Sequence, residues 1–189
     1  ATVTTTRPSG SYFFVGTTDV VVTATDPAGN RAVDTFSVTV EDRQWPVVGH
    51  PAAINIPNLP GVCGAYVTYS VTVSDNCPGA SLVVEHPSGT LFPVGTTLVR
   101  AIGTDIMGHT DTSFFPVTVS DTGRPVLIFP DTIYAAAGPE ECDTPVEFVL
   151  SALDNSPSTS ITTSIPSGAL FPVGTTPVQA IATDPSGNA

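Results

Sequence analysis

Pro87-Ser88-Gly89-Thr90-Leu91-Phe92-Pro93-Val94-Gly95-Thr96-Thr97, running on to Thr104-Asp105 and Gly108, decides how this chain is read, because it occurs three times. Pro8-Ser9-Gly10 to Val15-Gly16-Thr17-Thr18 precedes it, and Pro166-Ser167-Gly168 to Val173-Gly174-Thr175-Thr176 follows. Gly16, Gly95 and Gly174 stand 79 residues apart, as do Asp26, Asp105 and Asp184. A fixed spacing without insertion or deletion is a tandem array, so the 79-residue module is the unit to be explained.

Working outward from that stretch, Val99, Ala101 and Gly103 match Val20, Val22 and Ala24 before them and Val178, Ala180 and Ala182 after. The alternate positions vary freely: Arg100 is Val21 in one copy and Gln179 in another. Comparing copies thus identifies the buried face of a strand. Upstream, Val67, Tyr69, Val71 and Val73 alternate with Thr68, Ser70, Thr72 and Ser74, again a period of two. Downstream, Phe115, Val117 and Val119 repeat Phe36, Val38 and Val40 and are expected in the core. Asp75-Asn76-Cys77-Pro78-Gly79 and Pro87-Ser88-Gly89 turn the chain between strands, and Gly95 is expected at positive φ. About seven short strands per module predict an all-β fold: antiparallel sandwiches of immunoglobulin-like build.

The module limits follow from the period. Residues 1–42 form the C-terminal half of a first module, 43–121 a complete module, and 122–189 a third module that lacks its last strand. The linkers Glu41-Asp42-Arg43-Gln44-Trp45-Pro46 and Ser120-Asp121-Thr122-Gly123-Arg124-Pro125 are short and end on proline, which predicts stiff junctions and an end-to-end rod. With strands missing at both ends, open sheet edges and uncovered Phe148, Phe171 and Val178 are expected, to be completed by further chain or by a neighbour.

Composition agrees with this reading: 41% of residues are hydrophobic and only 12% charged, while 19 prolines and 16 glycines mark frequent turns. A net charge of -12 repels nucleic acid and anionic membrane surfaces, and no apolar run is long enough for a membrane span.

Phe92 to Thr97, followed by Ala101 to Asp105 and preceded by Gly61-Val62-Cys63-Gly64-Ala65 and Asp75-Asn76-Cys77-Pro78-Gly79, closely resembles the hyalin repeat (HYR) family, as does Val117-Thr118-Val119. The resemblance covers essentially the whole chain in phase with the period. It implies an immunoglobulin-like sandwich used in tandem by extracellular and cell-surface proteins for adhesion or matrix assembly. It also implies a disulfide between Cys63 and Cys77 and leaves Cys142 unpaired, because Ser156 replaces the second cysteine in the third copy. Cys142 is then an inert thiol or a site of intermolecular bonding. The middle copy departs from the pattern at Ile106-Met107-Gly108-His109, where the flanking copies have Pro, Ala or Ser, Gly and Asn.

No catalytic constellation recurs in all copies, no cofactor is implied, and no metal ligands are assigned. Asp26-Pro27-Ala28-Gly29-Asn30 and Asp184-Pro185-Ser186-Gly187-Asn188 read as type I turns capped by their aspartates rather than as cation loops. His50, His86 and His109 occur singly and read as surface or junction residues. Outward threonines could accept O-linked sugars, while no Asn-x-Ser/Thr acceptor exists. The leading expectation is a structural segment of a long extracellular filament, stalk or adhesin whose partners are neighbouring modules of the same protein, in a homopolymer or a long repeat chain. The alternative is a carbohydrate- or protein-binding module within a larger secreted protein; neither requires an enzyme.

Overall fold

The computed structural model describes residues 1–189 and is built of strands alone. In the first module β1 (Thr2–Thr5), β2 (Gly16–Thr25) and β3 (Arg31–Val40) form one antiparallel sheet in that order. The middle module contributes β4 (Val47–Gly49), β5 (Ile54–Pro57), β6 (Gly64–Val67), β7 (Thr72–Ser74), β8 (Ser81–Val84), β9 (Thr90–Pro93), β10 (Gly95–Thr104) and β11 (Thr110–Ser120). Four strands form the sheet β5-β11-β10-β8, and β4-β7 and β6-β9 form two separate two-stranded sheets. β5 runs parallel to β11, with Val117 opposite Ile54, so the expected antiparallel build is broken at this edge. The third module repeats the pairings with β12 (Val126–Ile128) on β14 (Ser151–Leu153), β13 (Asp143–Pro145) on β16 (Leu170–Pro172) and β15 (Ser160–Thr163) on β17 (Ala180–Thr183).

The chain divides into two compact units, and the division cuts the middle module rather than the linkers. One comprises Ala1–His50, Val71–Glu85 and Arg100–Ser113; the other comprises Pro51–Ser70, His86–Val99 and Phe114–Ala189. In the first unit Val20, Val48 and Ala101 are buried, and Gly103 lies so close to Val48 and Val73 that the two layers touch there. In the second, Ala65, Val67, Phe92, Val99, Phe115, Val117 and Val119 form the core. Tyr69 stands edge-on to both Phe92 and Phe115, at 6.3 and 5.0 Å between ring centroids, and so joins the layers.

Gly95 has φ 109°, and its counterparts Gly16 and Gly174 have 112° and 124°; each begins or precedes the strand whose inward residues fill the core. The single strand expected over Val67–Ser74 is divided: β6 pairs with β9, β7 pairs with β4, and between them the Tyr69 amide donates to Ser88 Oγ. The inward alternation survives the change of partner, with Val67 buried and Tyr69, Val71 and Val73 half-buried. Phe36 corrects another expectation. Its counterpart Phe115 is 1% exposed, but Phe36 is 52% exposed, although Val20, its cross-strand partner in the same sheet, is buried. Phe148 and Phe171 are half-buried, and Val178 is 38% exposed around a cavity of about 750 Å³ lined by Leu127, Phe129 and Ile133 among others.

Candidate functional site at the module junctions

The two linkers build the same polar cluster twice, each within one compact unit. At the first, Asp42 Oδ1 accepts the Gln44 amide at 3.0 Å and Asn76 Nδ2 at 3.3 Å. At the second, Asp121 Oδ1 accepts the Gly123 amide at 3.0 Å and Asn155 Nδ2 at 3.1 Å. Asp75 Oδ2 takes the Cys77 amide and Asp154 Oδ2 the Ser156 amide, both at 2.8 Å. Each of these positions lies 79 residues from its counterpart. The linker aspartate therefore grips the turn after the strand β7 or β14 of the following module, which explains why a linker this short holds a defined geometry.

The Asp-x-x-Gly loops supply the third side of each cluster. They are the capped turns expected: Gly29 N donates to Asp26 O, while the Ala28 and Asn30 amides share Asp26 Oδ1. In the third copy Asn188 caps Asp184 in the same way and its Nδ2 also reaches the Asp121 carbonyl at 3.3 Å. In the middle copy His109 does the work of asparagine, its Nδ1 lying 2.8 Å from Asp105 Oδ2. The other face of the imidazole meets Trp45, with ring centroids 5.5 Å apart. His109 is thus placed at a junction contact. Burial pushes the Asp105 carboxyl up, but the hydrogen bonds from the His109 ring and backbone and from Met107 outweigh it and leave the group lowered.

Asp42, Asp105 and Asp184 are buried. The Gln44 amide, ahead of the Cys77 thiol, holds Asp42 below the ordinary carboxylate range. The Ser156 hydroxyl does most to lower Asp121, against burial and with help from Asn155 and the Gly123 amide. The clusters differ at one atom: Ser156 Oγ donates to Asp121 Oδ2 at 2.6 Å, and in the first copy Cys77 stands in its place. The Cys77 thiol leans toward the Asp42 carboxylate, and that contact, with burial and the charges of Asp42, Asp75 and Asp105, pushes its pKa up to about 11. It does not reach hydrogen-bonding geometry, so Asp42 Oδ2 has no partner. Asp75 Oδ1 and Asp154 Oδ1 are likewise buried without a partner.

The expected disulfide is not formed. Cys63 and Cys77 are free thiols in different compact units: Cys63 donates to the Asn155 carbonyl, whereas Cys77 belongs to the Asp42 cluster. The thiol of Cys142 is also free and is exposed. Sequence reasoning passed over Asp42, Asp75, Asn76 and Asn58; the 79-residue recurrence of the first three was the available signal. Asn58 has no such recurrence, since Ala137 holds its place, yet it is buried and its Oδ1 accepts both the amide and the hydroxyl of Thr122 in the second linker.

Three comparisons bear on what these junctions belong to. The HYR domain family model matches residues 1–40, 41–119 and 120–189. Hyalin of Strongylocentrotus purpuratus is 35% identical over 97% of this chain, and hyalin of Lytechinus variegatus 32% identical over 99%. The chain spans 16% and 37% of the lengths of those two proteins. A protocadherin gammaB7 EC3-6 cis-dimer structure aligns with 83% of this chain and 51% of its own at 17% identity and a TM-score of 0.34. The family match extends over three consecutive stretches in phase with the junctions, and on it the chain belongs to the HYR domain family of extracellular, adhesion-type repeats.

Proposed function

We propose that the chain is a structural segment of a long extracellular filament, stalk or adhesin, in which modules 1–42, 43–121 and 122–189 act as spacers that bear load. The observation that carries this reading is the junction itself. Asp42 and Asp121 hold equivalent backbone and side-chain donors at equivalent positions, so each linker is part of the fold of the next module. A repeat protein whose neighbours share hydrogen bonds transmits force and stability along its length. Its partners are then further copies of the same module, in one long chain or a homopolymer. Outward threonines such as Thr68 and Thr112 are the points it offers to O-linked sugars, and the reading assigns no catalytic step to this segment.

The chain's single tryptophan, Trp45, tilts against His109 at a junction and is 60% exposed, which is what the alternative of a sugar-binding platform would use; the junction hydrogen bonds favour the structural reading. Pulling single molecules of the chain between beads tests it. The middle module should unfold in one resolved peak that releases about 280 Å of chain, from 79 residues at roughly 3.5 Å each. Extension without a resolved force peak would overturn the load-bearing role.

A further inference from the structure

The third module contains a groove one strand wide, and the middle module shows what fills it. There β11 lies between β10 and β5, and its inward Phe115, Val117 and Val119 are at most 1% exposed. Phe92 and Val99, in the same core, are 1% and 0% exposed. Their third-module counterparts differ: Phe171 is only half-buried and Val178 is 38% exposed, both on the wall of the cavity of about 750 Å³. β17 has a single strand neighbour, β15, where β10 has two. Residues 174–179 and 133–136, which match the start of β10 and the whole of β5, belong to no strand. The cavity is therefore bounded on both sides by backbone that a strand would pair with, and it is floored by the side chains that β11 covers one module earlier.

We propose that this groove takes β3 of a second copy of the chain, exchanged from its own β2. β3 carries Phe36, Val38 and Val40 at the positions of Phe115, Val117 and Val119, so the three inward side chains are the same. It is also an edge strand, in the order β1-β2-β3, and Phe36 is 52% exposed there. The register follows from the repeat. Phe36 faces Val20 and Thr39 faces Thr17 across β2 and β3, and two periods on from Val20 and Thr17 stand Val178 and Thr175. The hydroxyls of Thr17 and Thr39 lie 3.0 Å apart and those of Thr96 and Thr118 2.9 Å. Thr175 offers the same half of a third pair to Thr39 of the second copy. Exchange restores against residues 174–183 the ladder bonds that β3 gives up at β2. It adds a neighbour at 133–136 and cover for Phe36, so more apolar surface is buried at little cost in backbone pairing. Each copy donates one strand and accepts one, a heterologous contact that continues as a filament or closes as a ring. This rests on the reading above that the partners are further copies of the same module, and names the surfaces they use. The pulling experiment reads the middle module of a single molecule, so the donated strand can fail with the load-bearing role intact, and the reverse.

The test is sedimentation of the chain in reducing buffer, which keeps the exposed Cys142 from linking copies. The mean mass should rise with concentration above that of one chain. Phe36→Asp, which spoils the donated strand, and Val178→Asp, which spoils the groove, should each stay monomeric while keeping the parent's strand signal in circular dichroism. Mixed together, the two should form dimers and nothing larger, because each retains one working surface; that dimer also shows that both are folded. Thr175→Ala, which leaves the core intact, should weaken assembly about fivefold through the loss of one hydrogen bond. A parent chain that stays monomeric at about 0.1 mM, well above the micromolar affinity of a weak standard-size interface, would overturn the proposal, as when the groove is covered from within the same chain. So would assembly that Phe36→Asp or Thr175→Ala leaves unchanged, or a mixture of the two folded variants that fails to pair.

Discussion

At the scale of single residues, polar atoms with and without partners separate the copies. The Tyr69 hydroxyl is buried without a hydrogen bond, and burial raises its pKa. The third copy has Phe148 at this position, its amide receiving the same serine cap: Ser167 Oγ for Phe148, Ser88 Oγ for Tyr69. Tyr69→Phe should therefore be neutral or stabilise by up to about 1 kcal/mol in urea unfolding, since an orphaned hydroxyl is removed and both ring contacts stay. Asp121 gives a pH signature. Its folded pKa lies below the ordinary 3.8, so its contribution to stability is complete above that value and is lost as pH falls through the folded pKa. Stability of the second unit should thus decline below about pH 4. Ser156→Ala, which removes the largest cause of the lowered pKa, should weaken that acid dependence in melting curves taken from pH 5 to 2. The cysteine pairing belongs to this scale too. The two cysteines were legible as a family feature, but pairing depends on where the ends of two strands lie, which the spacing between residues 63 and 77 does not encode.

At the scale of elements, β10 shows how the copies adjust to one another. Its inward Gly103 replaces Ala24 and Ala182 of the flanking copies, and a Cβ there would lie 2.7 Å from Val73 Cγ2 and 2.8 Å from Val48 Cγ2. The third copy accommodates Ala182 where Ala152 stands in place of Val73. Gly103→Ala should then cost about 1–3 kcal/mol by overpacking, and Val73→Ala in the same chain should recover part of it, a coupling measured by a double-mutant cycle. β3 and β11 carry the same inward pattern, yet Phe115→Ala should cost about 3–5 kcal/mol and Phe36→Ala well under 1 kcal/mol, because Phe115 is 1% exposed and Phe36 52%. Strand identity, inward faces and the positive-φ glycines were legible because the period-two alternation is local. The split of Val67–Ser74 into β6 and β7 and the parallel pairing of β5 were not, because partner choice is set by strands far away in sequence. The junction acids Asp42 and Asp75 recur as Asp121 and Asp154, so the same copy-to-copy comparison makes them legible.

At the scale of the whole molecule, the repeat turns one local solution into a property of the chain. The net charge of -12 includes the acids drawn into the junctions, so a contact that holds successive modules is also the place where like charges accumulate. Asp121 is the residue on which this depends in the second unit: it accepts from Gly123, Asn155, Ser156 and Ser186. The most direct test is hydrogen exchange of the chain with and without Asp121→Ala. Loss of these bonds should destabilise β12, β14 and β17 by on the order of 2 kcal/mol, seen as amides there exchanging roughly 30-fold faster, while β10 and β11 keep their protection. Unchanged exchange in the third module would show that its stability is independent of the linker aspartate, and would contradict the account of these repeats as mechanically joined spacers.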